Sequence, residues 1–229
     1  MPGKIEPIPN QVFVGLPWKN VRRKYENAIG WLRIRSPLSF AIVGRDSTQD
    51  ARDLLELIKT KIDSSSYAIF DATGGNANVS LEYGYAEARD VKRALYLSAR
   101  KTSTTLQDQP IISDLAGKTR QHYKNETTLR RLLSTFSTAH TYTKRFEKFL
   151  GSEFRRASKG KKKRGRALAL KIIHACDKEQ LVRRDDVVQE LLADQNTYQR
   201  DEIDNMIRHL HRVGLIYIKR GRYSTIEIA

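Results

Sequence analysis

A single cysteine, Cys176, stands in 229 residues, so the chain forms no internal disulfide and no cysteine-rich metal site. It sits in an apolar helical context, which predicts a small buried hydrophobe. The five histidines, His122, His140, His174, His209 and His211, fall in no HExxH or other metal-ligand spacing. His209 and His211 are two apart and point in different directions on a helix. No GxSxG, GxGxxG or P-loop is present, so serine-hydrolase and dinucleotide-fingerprint chemistry have no support. No apolar run approaches the ~20 residues that span a bilayer. The opening MPGKIEPIPN has neither the apolar core nor the cleavage site of a secretory signal. These absences predict a cytoplasmic protein with no metal and no required cofactor.

Acidic residues are missing from one stretch. The chain carries 42 Lys+Arg against 26 Asp+Glu, a net charge of +16, and a pI near 10.0. Residues 155–166, RRASKGKKKRGR, hold eight basic side chains and no acid, half of the whole excess, while residues 167–229 are neutral. Such a run predicts a basic linker and a polyanionic partner, with DNA favoured. A flexible, solvated tether is the plain alternative.

Apolar segments alternate with helical ones through the first half. QVFVGLPW (11–18), FAIVGR (40–45), YAIFDAT (67–73) and RALYLSA (93–99) read as short buried strands. Residues 20–34, 48–63 and 78–91 carry helical apolar stripes between them. The alternation predicts βαβ units and an α/β fold with a parallel sheet. Residues 102–110 read as a loop, 120–125 as a short edge strand and 126–150 as mostly helical. Three helices follow, over 166–176, 184–194 and from about Asn196 or Thr197 to a C′ glycine at Gly214. LIYIKR, a turn at Gly221 and Arg222, and YSTIEIA then make a hairpin. The pattern is that of a winged helix-turn-helix. The expected domains are 1–154, the linker 155–166, and 167–229.

The densest chemistry lies in YAIFDATGGNANVSLEYGYA (67–86). A strand ends in Asp71, a Gly/Asn turn follows, and a helix then carries Glu82. Turns of this kind at the carboxyl edge of a parallel sheet are where open α/β folds place ligands. The reading is a nucleotide or nucleoside pocket. Breaking an N-glycosidic bond builds positive charge on C1′ and the ring oxygen, which a carboxylate can attack or stabilise. Glu82 is the candidate catalytic acid. Asn76 and Asn78 would donate to ribose hydroxyls, and Asp71 would accept from a hydroxyl or amino group. Gly15, Leu16 and Pro17 would bring backbone and little bulk towards a phosphate or base, with N–H groups from Gly15 and Leu16. Trp18 would stack on a base.

Plainer roles stand beside these. Glu82 can be a surface acid, Asn78 a helix N-cap and Asp71 a receiver of loop amides. Gly74 and Gly75 can supply positive φ. Trp18 can be a buried strand-end aromatic, and Arg45 and Asp46 a local ion pair.

The string also resembles the nucleoside deoxyribosyltransferases and the TIR-like domains that look like them. Their usual run is D-L-T-G, one residue, N-P-N-V, one residue, then Y-E-L-G-Y-A. Asp71, Thr73, Gly74, Asn76, Asn78, Val79, Glu82, Gly84, Tyr85 and Ala86 match it. Ala72, Ala77, Leu81 and Tyr83 depart from it. Over residues 11 to about 136 the resemblance implies a flavodoxin-like sheet, a sugar-base pocket and a ribose-handling acid at Glu82. It implies a nucleoside- or nucleotide-directed N-glycosidase or NAD-type hydrolase, with NAD or a nucleotide as substrate or ligand. It also implies homo-oligomers or larger complexes, and a role as a bacterial antiviral defence effector. The alternatives are a nucleotide-sensing transcriptional regulator and a structural subunit of a defence complex with a degenerate pocket.

For the C-terminal module, Thr197, Tyr198, Gln199 and Arg200 would face bases or phosphates. Lys219, Arg220 and Arg222 of the wing would grip a backbone. Lys161, Lys162, Lys163 and Arg164 would follow phosphates with salt-sensitive affinity.

Overall fold

The computed structural model describes residues 6–19, 21–44, 51–101, 106–108, 113–177, 182–193, 197–219 and 224–229. The chain divides into two compact units, one of Met1–Leu32 and Phe40–Phe136, the other of Arg33–Ser39 and Ser137–Ala229.

The first unit is built on the apolar segments. Strands β1 (Ile8–Gly15), β2 (Ser39–Ile42), β3 (Ser65–Asp71), β4 (Arg93–Lys101) and β6 (Arg120–Tyr123) are joined into one sheet, ordered β2-β1-β3-β4 with β6 beyond. β1, β3, β4 and β6 run parallel. Taken in chain order this is the doubly wound arrangement of flavodoxin-like folds. The short β5 (Leu106–Asp108) pairs antiparallel with the end of β4, inside the stretch expected to be a loop. The buried amide of Gln11 in β1 is matched. Gln11 Nε2 donates to the Ser64 and Ser65 hydroxyls at 2.9 and 3.0 Å.

Strand alternation sorts the core onto two faces. Phe13, Ala68, Phe70, Leu95 and Leu97 pack under Val79, Tyr83 and Ala86 of α3 (Ala77–Ala88) and Ile62 of α2 (Ala51–Asp63). The opposite face meets α1 (Arg22–Arg33) and α5 (Glu126–Ala139). There Tyr25 stands edge-on to Tyr123 and Tyr67 packs on Phe136. The one-turn α4 (Ser113–Ala116) precedes β6.

In the second unit α6 (Thr141–Glu153), α7 (Lys159–Cys176), α8 (Arg184–Ala193) and α9 (Arg200–Arg212) accompany a small sheet. Its strands are β7 (Val182–Arg183), β8 (Ile216–Lys219) and β9 (Thr225–Ile228), antiparallel in the order β7-β9-β8. Leu168, Ile172, Ile173, Val187, Ile203, Ile207, Leu210 and Ile226 are buried within it. Gly214, at φ 67°, follows the end of α9 as the C′ position expects. Cys176 is buried, and burial with the nearby Asp177 pushes its thiol up to about 12.

Three features differ from expectation. The helix expected over 126–150 is broken at His140, whose ring accepts from Tyr142 N at 3.3 Å and starts α6. α6 belongs with the second unit, since the Tyr142 hydroxyl donates to Leu215 O at 2.7 Å. The basic run 155–166 is a turn and then the first half of α7, which Ser158 caps by accepting from Lys161 N. Lysine and arginine are good helix formers, and the apolar Leu168–Cys176 half anchors the helix to its unit. The expected hairpin gains a third strand in β7, too short to leave a periodic trace. Its tip, with Arg220, Gly221 and Arg222, lies outside the described residues, as do Arg45, Asp46 and Asn196.

Candidate active site

The turn after β3 is set by its glycines. Gly74 and Gly75 both take positive φ, at 77° and 64°, where side-chain-bearing residues are strained. The N-cap of α3 is Asn76 rather than Asn78. Its Oδ1 accepts from Asn78 N at 3.0 Å and Val79 N at 3.3 Å. The carbonyl oxygen is therefore committed to the helix, and only the Asn76 amide NH₂ remains for a ligand. Asn78 is exposed on the first turn.

From that cap, Glu82 falls on the second turn of α3 and reaches back over the end of β1. A Cβ placed on Gly15 would lie 2.5 Å from Glu82 Oε2 and 2.7 Å from Phe70 Cδ1. Gly15 is thus the residue that admits the carboxylate. Gly15 pairs with Phe70 across the two strands, and Phe70 packs on Tyr83 at 5.5 Å. Glu82 lies at the carboxyl ends of the paired strands β1 and β3, from which the chain leads on to β2 on one side and β4 on the other, the switch point at which doubly wound folds hold ligands.

The electrostatics follow from the walls. Glu82 is half-buried against apolar surface, and burial alone pushes its carboxyl from 4.5 to about 7. Among the described residues no cation or hydrogen-bond donor compensates it. Near neutral pH such a group exists in both forms. Ionised, it stabilises positive charge in front of it; protonated, it can donate to a leaving atom.

Asp71 does not join Glu82. It is fully buried and lies on the opposite face of the sheet. Its Oδ2 accepts from the Tyr25 and Tyr123 hydroxyls at 2.9 and 2.7 Å, and its Oδ1 from Thr73 N at 2.9 Å. Burial raises its pKa, and the hydrogen bonds from Thr73, Tyr123 and Tyr25 pull it back. Burial and the neighbouring Asp71 raise both tyrosines, which stay protonated donors. With three donors in place, Asp71 is a keystone between β3, α1 and β6 and offers nothing to a ligand. An acid ending a buried strand signals a need for donors, but nothing in the sequence says which tyrosines supply them.

No protein-family model matches the chain, and no curated protein matches its sequence. Among solved structures it is similar to the 2-desoxiribosyltransferase from Leishmania mexicana. That pair shares 14% identity with a TM-score of 0.44, over 58% of this chain and 99% of that chain.

The remaining residues of the loop after β1 are partly committed. Leu16 is half-buried and Pro17 buried. Trp18 is half-buried, its ring edge seated on Gly44. One indole face is covered by the Arg22 guanidinium, 3.2 Å from the ring centroid, so only the other can stack on a base. Among the described residues no group of three His, Cys, Asp or Glu could hold a metal ion, and no helix is long and apolar enough to cross a membrane.

In the second unit the expected contact residues separate. Tyr198 is 4% exposed, with the Arg164 guanidinium 5.4 Å and the Lys171 ammonium 5.3 Å from its ring, so it reaches no base. Its aromatic bulk fills the core beside α7, and this packing outweighs exposure. Thr197, Gln199 and Arg200 are exposed. Arg200 lies 3.9 Å from Asp204, and Lys219 pairs with Glu227 at 2.8 Å. Arg164 pairs with Glu202 at 2.7 Å, and Lys161 lies near the same acid. Lys162 and Lys163 are exposed without a described carboxylate partner.

Proposed function

We propose that the first unit is a nucleoside- or nucleotide-directed N-glycosidase, with NAD among its candidate substrates and Glu82 as the essential carboxylate. One observation carries the reading: an uncompensated, desolvated acid held over Gly15 at the carboxyl ends of β1 and β3. A sugar placed there presents C1′ to the acid. As the base departs, charge develops on C1′ and the ring oxygen in a site with little water to screen it. The carboxylate then offsets that charge or closes on C1′, and water completes the hydrolysis. The amide of Asn76 and the backbone of Gly15 and Leu16 would orient the sugar, and the free face of Trp18 the base.

The second unit serves, in this reading, as a winged-helix module that binds nucleic acid and localises the first. Support comes from the order of its elements and from the acid-free basic stretch on α7.

The test is chromatographic detection of free base after incubation with NAD and a panel of nucleosides, with oligomeric state measured in parallel. Wild type is expected to release base from at least one member, and Glu82→Gln to lose release at least 100-fold with its fold intact. Full activity in Glu82→Gln would remove the acid from the mechanism. No release at any assembly state, with a ligand that alters duplex affinity, would make the pocket a sensor.

A further inference from the structure

The basic stretch is an ordered surface with a direction. On α7, Lys159, Lys162 and Lys163 are spaced i, i+3, i+4 and share one face. Arg155 and Arg156 precede them in the turn. All five are exposed, and none has a described carboxylate partner. Their neighbours on the helix, Arg164 and Arg166, are neutralised by Glu202 and Glu147. The first turn of α7 holds no acid. Cations at the positive end of a helix dipole, repelling one another at i, i+4, are unfavourable in the isolated protein. An anion laid across them reverses both effects.

The partner's chemistry follows from what the face lacks. Residues 155–163 contain no large apolar side chain, and the apolar residues from Leu168 onward are buried in the unit. A membrane-surface helix needs an apolar face to insert, and protein interfaces draw their energy from buried aromatic anchors. A charge-only ridge fits a phosphate backbone, where affinity comes from counterion release. The adjoining helix, α9, is poorly suited to reading bases. Asp201 and Glu202 are exposed on its first turn, Tyr198 is buried, and Gln199 N donates to Glu202 at 3.0 Å.

We propose that the second unit holds nucleic acid by its phosphates, through Arg155, Arg156, Lys159, Lys162 and Lys163, without reading base sequence. This rests on the nucleic-acid reading given above and names its mode.

The experiment measures affinity of the full chain for two duplexes of unrelated sequence, about 20 base pairs each, across a salt series. Wild type is expected to bind both within about threefold. Lys159→Gln, Lys162→Gln and Lys163→Gln combined should weaken both at least tenfold and lower the salt slope by about 3, near 0.9 per lost contact. The matching Lys→Arg triple should retain binding. Thr197→Ala, Gln199→Ala and Arg200→Ala combined should change affinity less than threefold. If the α9 triple weakens one duplex selectively while the Gln triple binds as wild type, nucleic-acid binding stands and the ridge is wrong. If wild type binds neither duplex at 50 mM salt, both readings fail. Tighter capture by vesicles of one-third anionic lipid than by duplex would also overturn the proposal.

Discussion

Glu82→Gln separates a functional carboxylate from a structural one by stability. Burial lifts the Glu82 carboxyl from 4.5 to about 7. The folded state therefore binds more protons than the unfolded chain between those pH values. Stability from this group is fully present below about pH 4.5 and is lost as pH rises through 7. At about 1.4 kcal/mol per pH unit, ionised Glu82 costs the fold up to about 3 kcal/mol at pH 8. Solvent at the edge of a half-buried site trims this, and half of it moves the midpoint by about 3–6 °C. Glutamine carries no charge and avoids the cost. The variant should melt about 3–6 °C higher than wild type at pH 8 and within about 1 °C of it at pH 4.5. Both tryptophans, Trp18 and Trp31, lie in the first unit, so tryptophan fluorescence follows that unit alone. An equal or lower midpoint at pH 8, or a difference independent of pH, would mean that Glu82 faces water or has a partner. The desolvation argument would then fail.

Other expectations follow from the same geometry. If the ionised form of Glu82 does the work, base release at saturating substrate should rise through about pH 7 and level off above it; a fall would give the proton the leading role. Gly15→Ala drives a methyl group against Glu82 and Phe70, and should cost about 1–3 kcal/mol with loss of base release, read by denaturant titration and chromatography. Tyr25→Phe removes one of three donors to buried Asp71, and should cost about 1.5–3 kcal/mol in a urea melt of the first unit. Tyr198→Ala should destabilise the second unit by about 2–4 kcal/mol in calorimetry, yet leave duplex affinity of the folded fraction within threefold.

Much of the layout is legible from local pattern. Strand segments at 11–18, 67–73 and 93–99 overlap β1, β3 and β4, because a strand covered on both faces must be apolar along its length. The Gly74 and Gly75 turn, the helix carrying Glu82 and the C′ role of Gly214 follow from residue chemistry close in sequence. The N-cap was legible only to within two residues, since Asn76 and Asn78 both satisfy its chemistry and backbone geometry chooses between them. His140 ends one helix and opens the next with no proline or glycine to announce it.

Residue spacing carries the alternation of strands with helices, the acid and glycine turn at one strand end, and the gathering of the basic excess in one stretch. Those are local properties of spacing and side-chain type. Which acid is free to act depends on the three-dimensional packing. Strand alternation sends Asp71 to one face, under two tyrosines 46 and 52 residues away. The α3 helix carries Glu82 to the other face, where the missing side chain of Gly15 leaves it room. Tertiary packing likewise paired Arg164 with Glu202, 38 residues on, and left Lys159, Lys162 and Lys163 facing water. Desolvation and ion pairing depend on which distant groups meet in space, and residue spacing along a chain does not encode that.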